Sequence, residues 1–323
     1  MGGALVEASG VVRYFPIRQG LLQKITGYVR AVDGLGFSIA RGKVLGVVGE
    51  SGCGKSTLAR LVTGLLPLTG GTVRFDGVDI TSKEAAVRKN LRRRMNIVFQ
   101  DPFSSLNPRL TVAELIGEPL VAHGIAKTKK ERDCRAVYLL EQCGMFADQV
   151  YRYPHQFSGG QRQRICIARA LAAGPEFIVC DEAVSALDVS IQAQIINLLM
   201  DLRESFDLTY MFITHDLDLV RFISDEIIVM YMGQIVESAP KDELFASPAH
   251  PYTKALLSAV PTFDKSKRQN RIVLEGDIPS PSNPPAGCRF HTRCAEATAL
   301  CSEAEPAARE VSQGHVVCCR KYN

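Results

Sequence analysis

The residues with the clearest chemical purpose run from Gly49 to Ser56, GESGCGKS, and fit the pattern G-x-x-x-x-G-K-[ST]. In that pattern glycines let successive backbone N–H groups wrap a polyphosphate, a lysine reaches the β and γ phosphates, and the next hydroxyl can ligate Mg²⁺. Here Gly49, Gly52 and Gly54 supply the wrap, Lys55 the cation and Ser56 the hydroxyl, with Glu50, Ser51, Cys53 and Thr57 completing the nucleotide-binding segment. A second constellation, Asp181-Glu182, closes the apolar run FIVC and so places two carboxylates at the C-terminal edge of a strand, where α/β sheets bind ligands. Asp181 would orient Mg²⁺ through its water shell, and Glu182 would polarise an attacking water. By itself an Asp-Glu pair there is ordinarily a solvated strand end; a phosphate loop in the same chain turns the reading catalytic. His215 follows a further apolar run, MFIT, and is placed to reach a γ-phosphate from a sheet edge.

The elements needed to position these groups are legible around them. VLGVV before the phosphate loop and LARLVTGLL after it read as a buried strand and a helix, while the rest of residues 1–57 reads as short apolar runs separated by turns. TVRFDGVDI predicts a hairpin turning at Asp76-Gly77. MNIVFQ, FIVCDE and YMFITHD are strand-like, and residues 111–147 read mainly as helices after Pro102 and Pro108. Strands alternating with helices predict an α/β fold on a parallel sheet. The basic stretch Lys83–Arg94 reads as a solvated face, because no aromatic residue is interleaved in it. Lys+Arg 38 against Asp+Glu 34 is too balanced to drive nucleic-acid binding by charge. No charge-free apolar run reaches the 18 or so residues of a spanning helix. The start MGGALVEASG lacks the basic and apolar regions of a signal peptide, so a cytoplasmic chain is expected.

Phe157-Ser158-Gly159-Gly160-Gln161-Arg162-Gln163-Arg164 closely resembles the signature sequence of ATP-binding cassette (ABC) ATPases. With the phosphate loop, Gln100 after a strand, Asp181-Glu182, SALD at 185–188 and His215, the ordered set of cassette motifs is complete over about residues 5–245. The resemblance implies a P-loop NTPase cassette, a RecA-like core with a helical subdomain at about 101–165, that binds ATP with Mg²⁺ and hydrolyses it. Ser158, Gly159, Gly160 and Gln161 would hold the γ-phosphate of ATP on a second subunit, so that two cassettes close head to tail. Asp188 would link the two sites, Gln100 would sense γ-phosphate and Mg²⁺ beside Ser56, and an aromatic residue, Phe15 or the adjacent Tyr14, would stack on adenine. Ala183, where many relatives have Pro, and Phe157, where Leu is commoner, are the departures, and neither removes a catalytic group.

DPFSSLNPR (101–109), the insert before AVDGL (31–35), DELFASPAHPYTKALLSAVP (242–261) and GDIPSPSNPPAGCRFHTRC (276–294) look like the dipeptide/oligopeptide importer ATPases. That likeness extends over essentially the whole chain, with a cassette at 1–247 and an importer-type extension at 248–323. Cys53 in the phosphate loop and STLARLVTGL look more like the second (F-type) ATPase subunit than the first (D-type). The implied partners are a paralogous D-type ATPase, two transmembrane permeases docking near Gln100 and residues 101–147, and, outside the cell, a peptide-binding protein. The implied place is the cytoplasmic face of the membrane. Nickel chelates or glutathione are alternative cargoes, and a soluble cassette ATPase acting on DNA or ribosomes is the alternative function.

Ten cysteines are unevenly spread: five are dispersed up to Cys180, and Cys288, Cys294, Cys301, Cys318 and Cys319 crowd the tail beyond the Pro-rich stretch 278–287. Such a cluster in a reducing compartment suggests metal before disulfide. Cys288, Cys294, Cys301 and Cys319 are the expected ligand set, Cys318 being the alternative for the last. Their spacings are wider than those of zinc knuckles and favour a 4Fe-4S cluster over Zn²⁺ or free thiols.

Overall fold

The computed structural model describes residues 3–20, 23–259 and 272–322. Residues within the insert before Ala31, and the closing Val260-Pro261 of the 242–261 segment, lie outside them. The strands are β1 (Ala4–Gln19), β2 (Lys24–Ala40), β3 (Val44–Val48), β4 (Gly70–Phe75), β5 (Val78–Asp79), β6 (Met95–Val98), β7 (Phe177–Asp181), β8 (Thr209–Ile213), β9 (Glu226–Tyr231), β10 (Gln234–Pro240), β11 (Arg309–Ser312) and β12 (His315–Val317). The helices are α1 (Lys55–Val62), α2 (Ala85–Arg94), α3 (Pro102–Ser105), α4 (Val112–Ala122), α5 (Lys129–Gln142), α6 (Gly159–Leu171), α7 (Val189–Phe206), α8 (Leu217–Ile223), α9 (Lys241–Ala246), α10 (Pro251–Ser258) and α11 (Leu300–Glu303). The chain packs as two units interleaved along the sequence, one of residues 1–6, 39–44 and 75–213, the other of 7–38, 45–74 and 214–323.

In the first unit β6, β7 and β8 run parallel, with Val98 opposite Cys180, and Cys180 opposite Phe212. Every residue of β7 and β8 is buried, in keeping with their largely apolar sequences FIVCD and TYMFI. Helices α4, α5 and α6 pack on one another, and each opens with the same device. Thr111 with Glu114, Thr128 with Glu131 and Ser158 with Gln161 form reciprocal capping boxes that satisfy orphan N–H groups of the first turn. The basic α2 is solvated except at Leu91, as its sequence predicts. Asp76 (φ 52°) and Gly77 (φ 76°) make the expected turn between β4 and β5.

In the second unit β3 pairs in parallel with β9, and β9, β10, β12 and β11 follow as antiparallel neighbours. The portions of β2, β1 and β4 in this unit are neighbours in that order. The short runs expected before residue 41 are instead two long strands. Gly10 (φ 56°) lies inside β1 without ending it. The join between β10 and β12 is made by Glu237, fully buried, whose carboxylate accepts from Ala249 N (2.7 Å), His250 N (2.9 Å) and His315 Nε2 (2.7 Å). Among the described residues no helix is long and apolar enough to cross a membrane.

Candidate active site

In the second unit the phosphate loop leaves the buried end of β3 at Gly49 (φ 153°) and enters α1 through Gly54 (φ 105°). A Cβ on Gly49 would lie 2.2 Å from Met230 O, and one on Gly54 would lie 2.2 Å from Ala31 O. Glycine is therefore forced at both ends of the loop by backbone passing alongside it. Lys55 is 4% exposed, and its Nζ donates to Gly49 O (2.7 Å) and Glu50 O (3.0 Å), so the cation lies inside the ring of loop carbonyls. Ser51 and Gly52 are exposed at the tip, and Ser56 and Thr57 are half-buried in the first turn of α1. Cys53 is buried under the loop, and burial pushes its thiol up, which keeps it protonated beside Lys55. Thr214 N donates to Val47 O (3.2 Å), bringing the exposed His215 to the edge from which the phosphate loop departs.

Phe15 and Tyr14 are neighbours on β1 and so face opposite ways. The Tyr14 hydroxyl donates to Asp33, and Tyr14 lines a cavity of about 610 Å³ shared with Arg289 and Cys318. Phe15 is half-buried, with the Arg13 guanidinium 4.6 Å from its ring centre.

In the first unit Asp181, 4% exposed, ends β7 opposite Ile213. Glu182 takes a left-handed conformation (φ 49°), unusual for a residue with a side chain, and its N–H donates to Ile213 O at 2.9 Å. That turn swings the carboxylate to Gln100, whose Nε2 donates to Glu182 Oε2 at 2.8 Å. The contact uses the amide nitrogen of Gln100 and leaves the amide oxygen, its one metal-binding atom, outside that bond. Ser158 is the exposed N-cap of α6, accepting from Gln161 N at 3.4 Å while Ser158 N donates to Gln161 Oε1 at 3.0 Å. A Cβ on Gly160 would meet Ile191 Cγ2 at 2.6 Å, so α7 packs closely against that glycine, and one on Gly159 would touch Leu187 Cδ2 at 3.4 Å. Asp188 precedes the first residue of α7, makes no side-chain capping bond there, and is exposed. Ala183 and Phe157, the two departures, are both buried and fill apolar space.

The tail places Cys288, Cys294, Cys301 and Cys319 around one cavity of about 430 Å³, together with His250, His291 and Glu296. Cys318 lines the other cavity, beside Tyr14. The expected metal centre is not reproduced as a convergent group: among the described residues no three His, Cys, Asp or Glu side chains come together closely enough to hold a metal ion. Four thiolates converge on one point only when a cation offsets their mutual repulsion. Burial pushes the Cys288 thiol up to about 11 and raises Cys294 and Cys319 as well.

Sequence reasoning missed three groups that shape the site: Arg293 and Tyr252, which hold Glu50, and the Glu237–His315 pair. Only the tail's adjacency to cysteine hinted at Arg293, and nothing local marked the others.

Comparison with known proteins agrees with this geometry. Residues 32–185 match the ABC transporter family, and residues 236–301 match the oligopeptide/dipeptide transporter C-terminal region. The chain is 52% identical over 322 residues to the oligopeptide transport ATP-binding protein AppF of Bacillus subtilis, covering 99% of this chain and 98% of that one. It is 44% identical over 315 residues to the dipeptide transport ATP-binding protein DppF of Escherichia coli, covering 98% and 93%. Among solved structures it resembles the post-hydrolysis dimer of the ATP-binding cassette MJ0796 bound to ADP and Pi, with a TM-score of 0.65 at 28% identity, over 73% of this chain and 98% of that one. It also resembles cbiO1 of Clostridium perfringens, part of the cbiONQ transporter complex, with a TM-score of 0.65 at 26% identity, over 76% and 91%. The cassette fold, the matched C-terminal region and near full-length identity together place this chain in the family of ABC-type oligopeptide/dipeptide transporter ATP-binding proteins.

Proposed function

We propose that this chain hydrolyses ATP to power import of dipeptides or oligopeptides, acting as the F-type subunit in a head-to-tail pair with a D-type paralogue beneath two transmembrane permeases. The observation that carries the reading is the Gln100–Glu182 contact at 2.8 Å on a left-handed Glu182, a carboxylate built for use at energetic cost. Lys55 and the loop N–H groups bind the β and γ phosphates, and Glu182 takes the proton of the attacking water. His215 steadies the γ-phosphate, Asp181 orients the metal's water shell, and Phe15 stacks on adenine. Ser56 and the Gln100 amide oxygen would hold Mg²⁺, which neutralises charge on the phosphates when bound. Ser158 to Gln161, at the N-terminus of a 13-residue helix, serve ATP on the partner, and Asp188 links the two sites.

Residues 1–247 form the cassette in this reading, with the helical subdomain at 101–165, and 248–323 the extension. Permeases dock on the helical subdomain, where Phe103, Phe146 and Tyr151 are 59%, 73% and 64% exposed. The chain thus works at the cytoplasmic face of the membrane through its partners, and a peptide-binding protein delivers cargo from outside. Co-expressed with permeases and paralogue, it is expected to co-purify with them and to hydrolyse ATP faster when peptide-loaded binding protein is added. Salt-sensitive binding to duplex DNA, with no association with permeases, would overturn the reading.

For the tail we propose a 4Fe-4S cluster on Cys288, Cys294, Cys301 and Cys319. The four cysteines line one cavity, and such a cluster is held by four cysteine thiolates. Bound there, it would cross-link a segment too Pro-rich to bury its own core. Anaerobically purified protein should contain iron and inorganic sulfide; protein without iron rules the cluster out.

A further inference from the structure

Glu50 puts a carboxylate inside the very loop that must accept a polyphosphate, and the tail covers it. Arg293 Nη1 and Nη2 donate to Glu50 Oε2 and Oε1 at 2.7 and 3.1 Å, a two-pronged pair in which Arg293 is 7% and Glu50 24% exposed. The backbone of the same residue is held as well, because Glu50 N donates to the Tyr252 hydroxyl at 2.8 Å. Both anchors come from residues after 250, and they share a stiff base. Tyr231, Tyr252 and Phe290 pack ring against ring with centroids 4.8 to 5.3 Å apart, and Arg293 N donates to Phe290 O at 3.0 Å. Arg293 is thus aimed by packing, and its geometry does not depend on a mobile side chain finding a partner.

A carboxylate in the loop with no counter-charge would repel phosphates bound there. Arg293 cancels that charge where it arises. Lys55, whose Nζ donates to the carbonyls of Gly49 and Glu50, is the cation assigned to the phosphates themselves.

We propose that Arg293 is a positioning residue for nucleotide binding: by pairing with Glu50 it fixes the first turn of the phosphate loop and removes its negative charge, so the C-terminal tail sets the affinity for ATP. The inference rests on the reading of the loop as an ATP site, and the test separates the two.

Mg-ATP is titrated onto the full-length chain by calorimetry, for wild type, R293Q, R293K and the double variant R293Q/E50Q, with thermal unfolding recorded in parallel. R293Q should raise the Kd about tenfold, which is about 1.4 kcal/mol of binding free energy. R293K should recover part of the loss, because an ammonium neutralises but cannot make both prongs. R293Q/E50Q should recover most of it, because the orphaned carboxylate has gone. A purely structural role predicts the opposite pattern, with lower melting temperatures throughout and no recovery in the double variant. A Kd for R293Q within twofold of wild type, or a double variant as weak as R293Q, overturns the proposal. Where R293Q does not fold, R293K decides: a Kd indistinguishable from wild type overturns the two-pronged pairing. Wild type that fails to bind Mg-ATP at all would sink the ATP reading itself.

Discussion

The phosphate loop and the carboxylate edge are both built at the ends of buried strands, yet by opposite means. At the loop, Gly49 and Gly54 are pressed against the carbonyls of Met230 and Ala31, and the binding groups are backbone N–H donors whose positions follow from that contact. At the edge, Glu182 keeps its side chain in a conformation that glycine would adopt more readily, and the carboxylate is steered by a single amide from Gln100. Where recognition is by backbone, the fold excludes side chains; where chemistry needs a particular atom, the fold tolerates strain to present it. Shape is thus the vulnerable property of the loop, and chemical identity that of the edge.

The largest separation of the two should come from E182Q. In the assembled complex it should lower ATP hydrolysis by about a hundredfold or more, the scale of a lost general base, and leave Mg-ATP affinity near wild type. Hydrolysis at the wild-type rate would remove Glu182 from its assigned role. Next is G54A, which adds a Cβ 2.2 Å from Ala31 O at a positive φ. The loop must shift, and ATP affinity should fall by more than about tenfold in a titration with Mg-ATP. An unchanged affinity would show that the loop is not defined by its backbone approach.

A smaller effect is expected from pH. His250, buried at the start of α10, accepts from Tyr252 N through Nδ1, and burial lowers its pKa to about 4 from an ordinary value near 6.5. Its folded pKa is depressed, so the stability it protects is complete above about pH 6.5 and declines as pH falls toward 4. At pH 5.5 the loss should be about 1 kcal/mol. In the other unit, Arg94 and Arg41 hold Glu176 and Asp76 below the ordinary carboxylate range, so those links weaken only below about pH 4.5. Melting temperatures at pH 7 and 5.5 should therefore fall for wild type and fall less for H250N, which keeps a capping side chain. Equal falls in both proteins would remove His250 as the cause.

What was legible in the sequence was what is local in it. The glycine spacing of residues 49–56 and the apolar run before Asp181 each declare their structure within a dozen residues. The long course of β1 and β2 was not legible, because a glycine that lies inside a strand and one that ends it look alike. Nor were the contacts that join distant segments: Gln100 and Glu182 are 82 positions apart, and Glu50 and Arg293 are 243 apart. The cysteine spacing pointed to a shared location, and four of the tail thiols do line one cavity, but how closely they approach one another depends on the packing of segments distant in sequence.

The buried carboxylate of Glu237 carries a consequence for the order in which the protein is made. His315, its partner, leaves the ribosome 78 residues later, a delay of about 4 to 16 s at ordinary synthesis rates. Until then the strand next to β9 lacks its neighbour β12, and a nascent chain must keep Glu237 in water. The locking of this half of the molecule therefore waits until His315 has been made, well after the phosphate loop itself.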